Sequence, residues 1–500
     1  MATPAASHQS HQRWSLDNLS TELLILIFKQ LGDADLRSLS AVRLVSTRFK
    51  TVATPMKYHT LHLTRYIVAP QAEIQCPEGV SNVCAHTRHV KVKSDLNAEH
   101  VKSFLDKMKR LSSVSWRYVR DDLHKGDFWV PTDILPPHYT QSSNFKLCIE
   151  DLPLRDFRAE KGNPYLKAIP TGVLVSLKTA TPTPPLTARV ESLKGLLVNS
   201  PRLETFWYDD RGQGTRFELR GNERLPPLRD LSLRSYDWNH GPNTVRRHWD
   251  FSEIRHLELV DVPLGPFLNS VLFTDFRHLK TLRLDDSSMH LPNRPRDTTR
   301  GQYALIKQIK ALDDLQTICD IESFPIDGIL QHAKNLQSLR FRDYTGFSDE
   351  DRHCPTLDLN NLITMSQTLN NLHTLEIDMD SKRCELQQDF LLALCNFRRL
   401  GTLTLHTQTV VNPFKHAKTS NDLDHEKAMQ IFSFLHSKKS TPWRSITIII
   451  GDWKPIMVRR LSARWRELGS RGVHAERCFV MEKKQDDSLA VYEKSPIRVS

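Results

Sequence analysis

The sequence predicts an α/β chain: a small three-helix domain, then an irregular solenoid with parallel strands on its concave face and helices outside. Two observations predict it. Between Leu16 and Leu63, apolar residues recur at three- and four-residue steps, the period of a helix with one buried face. Further on, a short unit with apolar residues at its first, fourth and sixth places returns many times, which marks a repeat architecture. With 500 residues, 39% of them hydrophobic and 25% charged, the chain has ample material for buried cores and is too apolar for general disorder.

Residues 1–14 offer almost nothing to bury and read as a disordered lead. A first helix then starts at an N-cap, Ser20, with Glu22 in its first turn, where the positive end of the helix dipole favours a carboxylate. Leu23, Leu24, Ile27, Phe28 and Leu31 give it its period, and Gly32 is expected to stop it. Asp33 or Asp35 restarts the chain as a second helix with Leu36, Leu39 and Val42. Ser46 caps a third, carrying Phe49, Val52 and Ala53 and ended by Pro55. Three such short helices bury little alone, and the run from Leu23 to Phe28 is apolar all round. Some of that surface needs a partner, within the chain or outside it.

In order and spacing, Leu19, Glu22-Leu23, Ile27, Leu31, Asp35-Leu36, Leu39, Val42, Ser46, Arg48-Phe49 and Tyr58 make residues 15–63 resemble an F-box. That resemblance implies docking on a small Skp-family adaptor through Leu19, Leu23, Ile27, Leu36, Leu39, Val42 and Phe49, some of which serve packing within the domain instead. One departure is Ser20, where the family usually has Pro: the cap is kept but the fixed φ is lost.

Residues 64–481 carry the repeat. Its best copies are Leu228-Leu231-Leu233, Ile254-Leu257-Leu259, Leu279-Leu282-Leu284, Leu336-Leu339-Phe341, Leu372-Leu375-Ile377 and Leu400-Leu403-Leu405. Weaker ones are Leu111-Val114-Trp116, Leu203-Phe206-Tyr208, Leu315-Ile318 and Trp443-Ile446-Ile448. From Leu203 to Leu400 the steps are 25, 26, 25, 36, 21, 36 and 28 residues, so insertions interrupt the repeat. The alternation within each unit is that of a strand with one buried face. Apolar segments between units, such as Pro266–Leu272 and Phe390–Leu394, suit a helix or turn leading to the next strand. This spacing resembles a leucine-rich-repeat solenoid. The family's Asn or Cys after each strand is absent, replaced by Ser287, Tyr344, Asp380, Tyr236 and Val262, so an irregular arc is expected. Pro182–Pro185 and Pro292–Arg300 read as surface loops.

At the C-terminal end, Trp443–Ile450 reads as a strand and His474–Met481 as a final capping strand. Between them Pro455–Leu468 reads as a helix with Met457, Leu461, Trp465 and Leu468 inward and Arg459, Arg460, Arg464 and Arg466 outward. Capping the solenoid suits this helix better than lying on a membrane. Residues 482–500 are polar and read as a flexible tail.

The sequence carries no G-x-S-x-G, G-x-x-x-x-G-K-[ST], G-x-G-x-x-G or H-E-x-x-H. Gly212-Gln213-Gly214 is a turn. The pairs Asp209-Asp210, Asp285-Asp286 and Asp313-Asp314 are adjacent residues that point opposite ways on an extended chain. Cys76, Cys84, His86 and His89 miss the usual zinc spacings, so no metal or cofactor is expected and the chain is not expected to be an enzyme. Its eight cysteines (76, 84, 148, 319, 354, 384, 395 and 478) are scattered and read as reduced thiols. The net charge of +11 is spread among acids without a basic run, which disfavours nucleic acid. Apolar runs are too short for a membrane span and the N-terminal residues lack a signal-peptide pattern, so a cytoplasmic or nuclear location is expected.

An F-box followed by leucine-rich-repeat-like units resembles the substrate receptors of SCF-type (cullin-RING) ubiquitin ligases. The resemblance implies an adaptor without an active site: the helices reach a cullin scaffold through the Skp-family protein, and the solenoid holds a protein substrate for other subunits to modify. The candidate substrate contacts are the outward strand residues Trp207, Arg234, Glu258, Arg283, Arg340, Arg342 and Glu376, whose arginines suit an acidic or phosphorylated segment. Solvated strand residues are the plainer reading of each. The alternative for the whole chain is an interaction scaffold acting outside a ubiquitin ligase.

Overall fold

The computed structural model describes residues 16–119, 130–154, 163–181, 190–211, 214–286, 296–343, 354, 356–380, 384–408, 410, 422–450, 477–484 and 488–494. By internal contacts the chain divides into two compact units, Met1–Ala180 with Gly195–Arg202 and Thr181–Lys194 with Leu203–Ser500.

The first unit opens with a one-turn helix, Leu16–Asn18, followed by α1 (Thr21–Ala34), α2 (Leu36–Val42) and α3 (Thr47–Lys57). Then come β1 (Thr60–His62), α4 (Arg65–Val68), α5 (Gln71–Gln75), α6 (Pro77–His86), β2 (His89–Lys93), α7 (Ala98–Asp106), β3 (Ser113–Arg117), α8 (Pro131–Ile134), α9 (Pro137–Thr140), β4 (Lys146–Leu152), α10 (Pro164–Ala168) and β5 (Leu174–Thr179). The five strands pair in chain order, all parallel.

The second unit continues, after α11 (Val190–Val198), with β6 (Thr205–Asp209), β7 (Asp230–Arg234), α12 (Pro242–His248), β8 (His256–Val262), α13 (Leu264–Ser270), β9 (Thr281–Asp286), α14 (Arg296–Gln308) and β10 (Asp314–Ile318). It ends with α15 (Asp327–Leu330), β11 (Ser338–Arg342), α16 (Leu359–Thr368), β12 (Thr374–Asp378), α17 (Cys384–Cys395), β13 (Thr402–Thr407), α18 (Leu423–Lys438), β14 (Ser445–Ile450), β15 (Arg477–Lys483) and β16 (Leu489–Lys494). Strands β6 to β14 again pair in chain order and parallel, and β15 and β16 add antiparallel pairs that finish the sheet. Each unit is therefore an open, mixed α/β array, in which a strand and its return segment form the repeating piece. Among the described residues no helix is long and apolar enough to cross a membrane.

The three-place apolar unit explains why these segments become strands. In the six best copies the first, fourth and sixth residues are all at most 4% exposed, so every copy places two strand side chains and the residue leading into them in the core. Each such side chain contributes about 1.5–3 kcal/mol by leaving water. Neighbouring strands keep the copies level: Leu231 pairs with Leu257, Leu257 with Leu282, and Leu339 with Leu375. The alternation then breaks where a left-handed residue follows the strand's outward side chain. Asp151, Ser235 and Asp261 have φ of 55°, 57° and 55°, and each turns the next residue inward. Leu152, Tyr236 and Val262 are fully buried as a result.

Tyr236 is tied into a buried aromatic cluster after β7. Its hydroxyl accepts from the Phe217 N–H at 2.8 Å and meets His240 Nε2 at 2.9 Å, and its ring packs on Tyr208, Phe217 and Trp238. Trp238 is satisfied by Ser270 Oγ at 3.0 Å. A bulky aromatic core thus fills the space, and its tyrosine hydroxyl satisfies the Phe217 N–H.

Several expectations need correction. Helix α1 does not stop at Gly32 but runs to Ala34; a Cβ at Gly32 would lie 2.8 Å from Leu39 Cδ1, so this glycine permits close packing of α2. Pro55 lies inside α3, which continues to Lys57, and the second helix is capped by Asp35. Residues 296–300 form the first turns of α14 rather than a loop. Strand β1 lies within residues 15–63, and β16 lies within the expected tail at 482–500, where its pairing with β15 orders it. Helix α3 also packs on α6, with Lys50 Nζ 3.0 Å from Glu78 Oε1. The lead at 1–14, the prolines at 182–185, Ser287, Tyr344 and the helix read at 455–468 lie outside the described residues.

Candidate partner-binding surfaces

The three helices sort their apolar residues into two sets. Leu24, Phe28, Leu39, Phe49 and Ala53 form a core, at most 4% exposed, with Leu19, Leu31, Val42, Val52 and Met56 packed around it. The caps that set this arrangement are side chains: Ser20 accepts from Leu23 N, Asp35 from Arg37 N and Ser38 N, and Ser46 from Phe49 N. Arg48 donates to the carbonyls of Asp17 and Leu19 and ties the lead-in turn to α3. Arg43 donates to Thr54 Oγ1 at 3.0 Å and sits over the Tyr58 ring.

The second set stays in water. Leu23, Leu26 and Ile27 are 48, 59 and 41% exposed and share one face of α1, as residues three and four apart must. Leu36 is 57% exposed, and Leu44 and Val45, in the turn before α3, are 88 and 67% exposed. Of the seven residues expected to meet an adaptor, Leu23, Ile27 and Leu36 are thus on the surface. Leu39 and Phe49 are spent in the core, and Leu19 and Val42 are partly covered by it. Leu26, Leu44 and Val45 were not singled out from the sequence, although two apolar residues in a turn between helices were a legible signal.

The outward strand residues of the second unit form one ladder. Trp207, Ser232, Glu258, Arg283, Gln316, Arg340, Glu376 and Thr404 stand level across β6 to β13. All seven candidate substrate contacts lie on or beside it. Glu258 is gripped from two sides, by Arg234 at 2.5 Å and Arg283 at 3.1 Å. Glu376 Oε1 lies 2.9 Å from Arg340 Nε, 3.7 Å from Arg342 Nη1 and 2.9 Å from His406 Nε2. Arg342 turns to Asp378, and Trp207 Nε1 donates to Asp230 at 3.0 Å.

The four arginines therefore come together as expected, but each is matched by a carboxylate. Burial pushes the Glu376 carboxyl up, and the His406 hydrogen bond with the charge of Arg340 outweighs it, bringing the group down to about 2. Burial pushes the Arg283 guanidinium down against the pull of Glu258. Asp314, which faces the same ladder, is raised by burial. A surface so internally paired presents both signs at short spacing and makes no unopposed basic grip. Asp230, His256, Asp378 and His406 complete it and were not singled out from the sequence, because nothing in a local pattern says which outward residues of strands some 25 residues apart will meet.

The chain matches no protein-family model, and no curated protein matches it.

Proposed function

We propose that the chain is a non-catalytic substrate-recognition subunit of an SCF-type ubiquitin ligase. The helices α1 to α3 dock on a Skp-family adaptor and, through it, on a cullin scaffold, while the strand arrays hold a protein substrate. One observation carries the reading: eight large apolar side chains, Leu16, Leu23, Ile25, Leu26, Ile27, Leu36, Leu44 and Val45, are exposed on a helical domain that already has its own core. Leaving them in water is unfavourable, and a partner's dry surface would remove that cost. They sit in the F-box-like segment, at positions that include three of those the resemblance assigns to the adaptor.

The ligase role is proximity. A receptor of this kind needs no acid, base or nucleophile, since it supplies geometry to a reaction performed elsewhere. The test is reconstitution: the full chain is mixed with a Skp-family adaptor and a cullin, and their co-elution is followed. A chain that elutes alone while folded would instead favour a scaffold that works outside a ubiquitin ligase.

A further inference from the structure

The outward strand face of the first unit is built on the opposite plan to the paired ladder of β6 to β13. His89, Ser113 and Lys146 stand level across β2 to β4, as do Lys91, Ser115 and Cys148 beside them, and Lys93, Arg117 and Glu150 follow. Lys91, Lys93 and Lys146 are exposed, and among the described residues none of the three has an ion-pair partner. Arg117 is held by Asp151 at 2.7 Å, and Glu150 is the one carboxylate on these rows, taking a hydrogen bond from Ser115 Oγ. Apart from Glu150, the positions between the lysines carry short polar groups: Ser113, which hydrogen-bonds His89 Nδ1 at 2.7 Å, Ser115 and Cys148.

The geometry points to a docking surface for an extended, acidic segment of a partner protein, lying across β2 to β4. Spacing supports the fit. Lys91 and Lys93 point to one side of β2 about 6.6 Å apart, the repeat of alternate side chains in an extended peptide, and Lys146, level with His89 two strands away, lies about 12 Å from Lys91. Acidic residues at alternate places of a segment running along β2 can therefore meet two ammonium groups in register, and a further acidic residue beyond the Lys91 end turns toward Lys146 on β4. The short side chains of Ser113 and Ser115 leave room for a peptide backbone to approach the lysines. Nucleic acid fits less well, since the one ring on these rows, His89, is half-buried, packs edge-on against His59 and is hydrogen-bonded to Ser113. The inference deepens the reading of the chain as a receptor of protein substrates and moves acid recognition from the paired arginines to the unpaired lysines.

The experiment uses the full-length chain and fluorescence anisotropy with a labelled octapeptide of alternating Glu and Ser. The probe should bind, and Lys91→Ser/Lys93→Ser/Lys146→Ser should weaken binding about tenfold, the sum of three exposed charge contacts. Lys102→Ser/Lys310→Ser/Lys334→Ser, which removes the same charge from exposed positions elsewhere, should leave binding unchanged. The three substituted positions are exposed, so thermal unfolding should match the parent. No binding by the parent chain, an equal loss in both variants, or tighter binding of oligouridylate than of the peptide would each overturn the proposal. Adaptor binding is measured on the same samples: an adaptor-competent chain that ignores the peptide rejects this inference alone, and a peptide-binding chain that ignores the adaptor rejects the ligase reading alone.

Discussion

Arg342 and Asp378 form an ion pair almost wholly out of water, with side-chain exposures of 3 and 0%. Nε and Nη2 of the arginine donate to Asp378 Oδ1 at 3.0 and 2.9 Å, and Oδ2 accepts from the Asp343 N–H at 2.7 Å. Removing one member strands a buried charge, which costs far more than the pair itself contributes. Arg342→Ala should therefore destabilise the second unit by about 3–5 kcal/mol, seen as a lower urea midpoint. The double variant Arg342→Ala/Asp378→Ala should lose less than the two single losses added together, and strict additivity would show that the pair is not coupled.

Acid should loosen the same region. The Glu376 carboxyl lies at about 2 in the folded chain, against about 4.3 when unfolded, so between these values the unfolded state binds more protons. Stability is then fully present above about pH 4.5 and falls as pH drops towards 2. Glu376→Gln should make that fall shallower in a urea series taken at pH 5, 4 and 3. An unchanged slope would show that Glu376 is not held by His406 and Arg340.

Thiol reactivity should follow burial. Cys76 is exposed between α5 and α6, whereas Cys319, Cys354 and Cys395 are buried and burial raises the thiols of Cys354 and Cys395. Brief treatment of the folded chain with iodoacetamide should label Cys76 first, and the three buried thiols only after unfolding. Mass spectrometry of the peptides reads the order directly.

Ser46 caps α3 through the Phe49 N–H at 3.2 Å and donates to Asp17 Oδ1 at 3.3 Å, so one hydroxyl joins the helix start to the lead-in turn. Ser46→Ala should cost about 1 kcal/mol and speed hydrogen exchange across residues 47–57. Exchange that stays at the parent rate would mean that Arg48 alone fixes the turn.

The strands were legible wherever local alternation decides them. Leu228-Leu231-Leu233 and its kin became β7 to β9 and β11 to β13 because each copy buries its own residues on one face. Strands β4 and β5 carry no copy of the unit: Leu147, Ile149 and Leu152 sit around a left-handed Asp151 that breaks the alternation. Strand β16 owes its order to pairing with β15 rather than to burial, and its side chains are mostly exposed, so composition suggested a tail. The helical caps were readable because they act within three residues. The ladder of Arg234, Glu258, Arg283, Arg340 and Glu376 was readable as a set of outward residues, but its internal pairing depends on strand register, which no single repeat contains.

The most direct measurement of the central claim is a calorimetric titration of the full-length chain with a purified Skp-family adaptor, repeated with Leu23→Asp/Ile27→Asp. Both leucine and isoleucine side chains are about half exposed, so the double variant should fold, and two carboxylates pressed into an apolar interface would find no partner there. The account predicts saturable binding by the parent chain and none by the folded double variant. Equal binding by both would contradict the placement of the docking surface, and no binding by the folded parent chain would contradict the ligase-receptor reading itself.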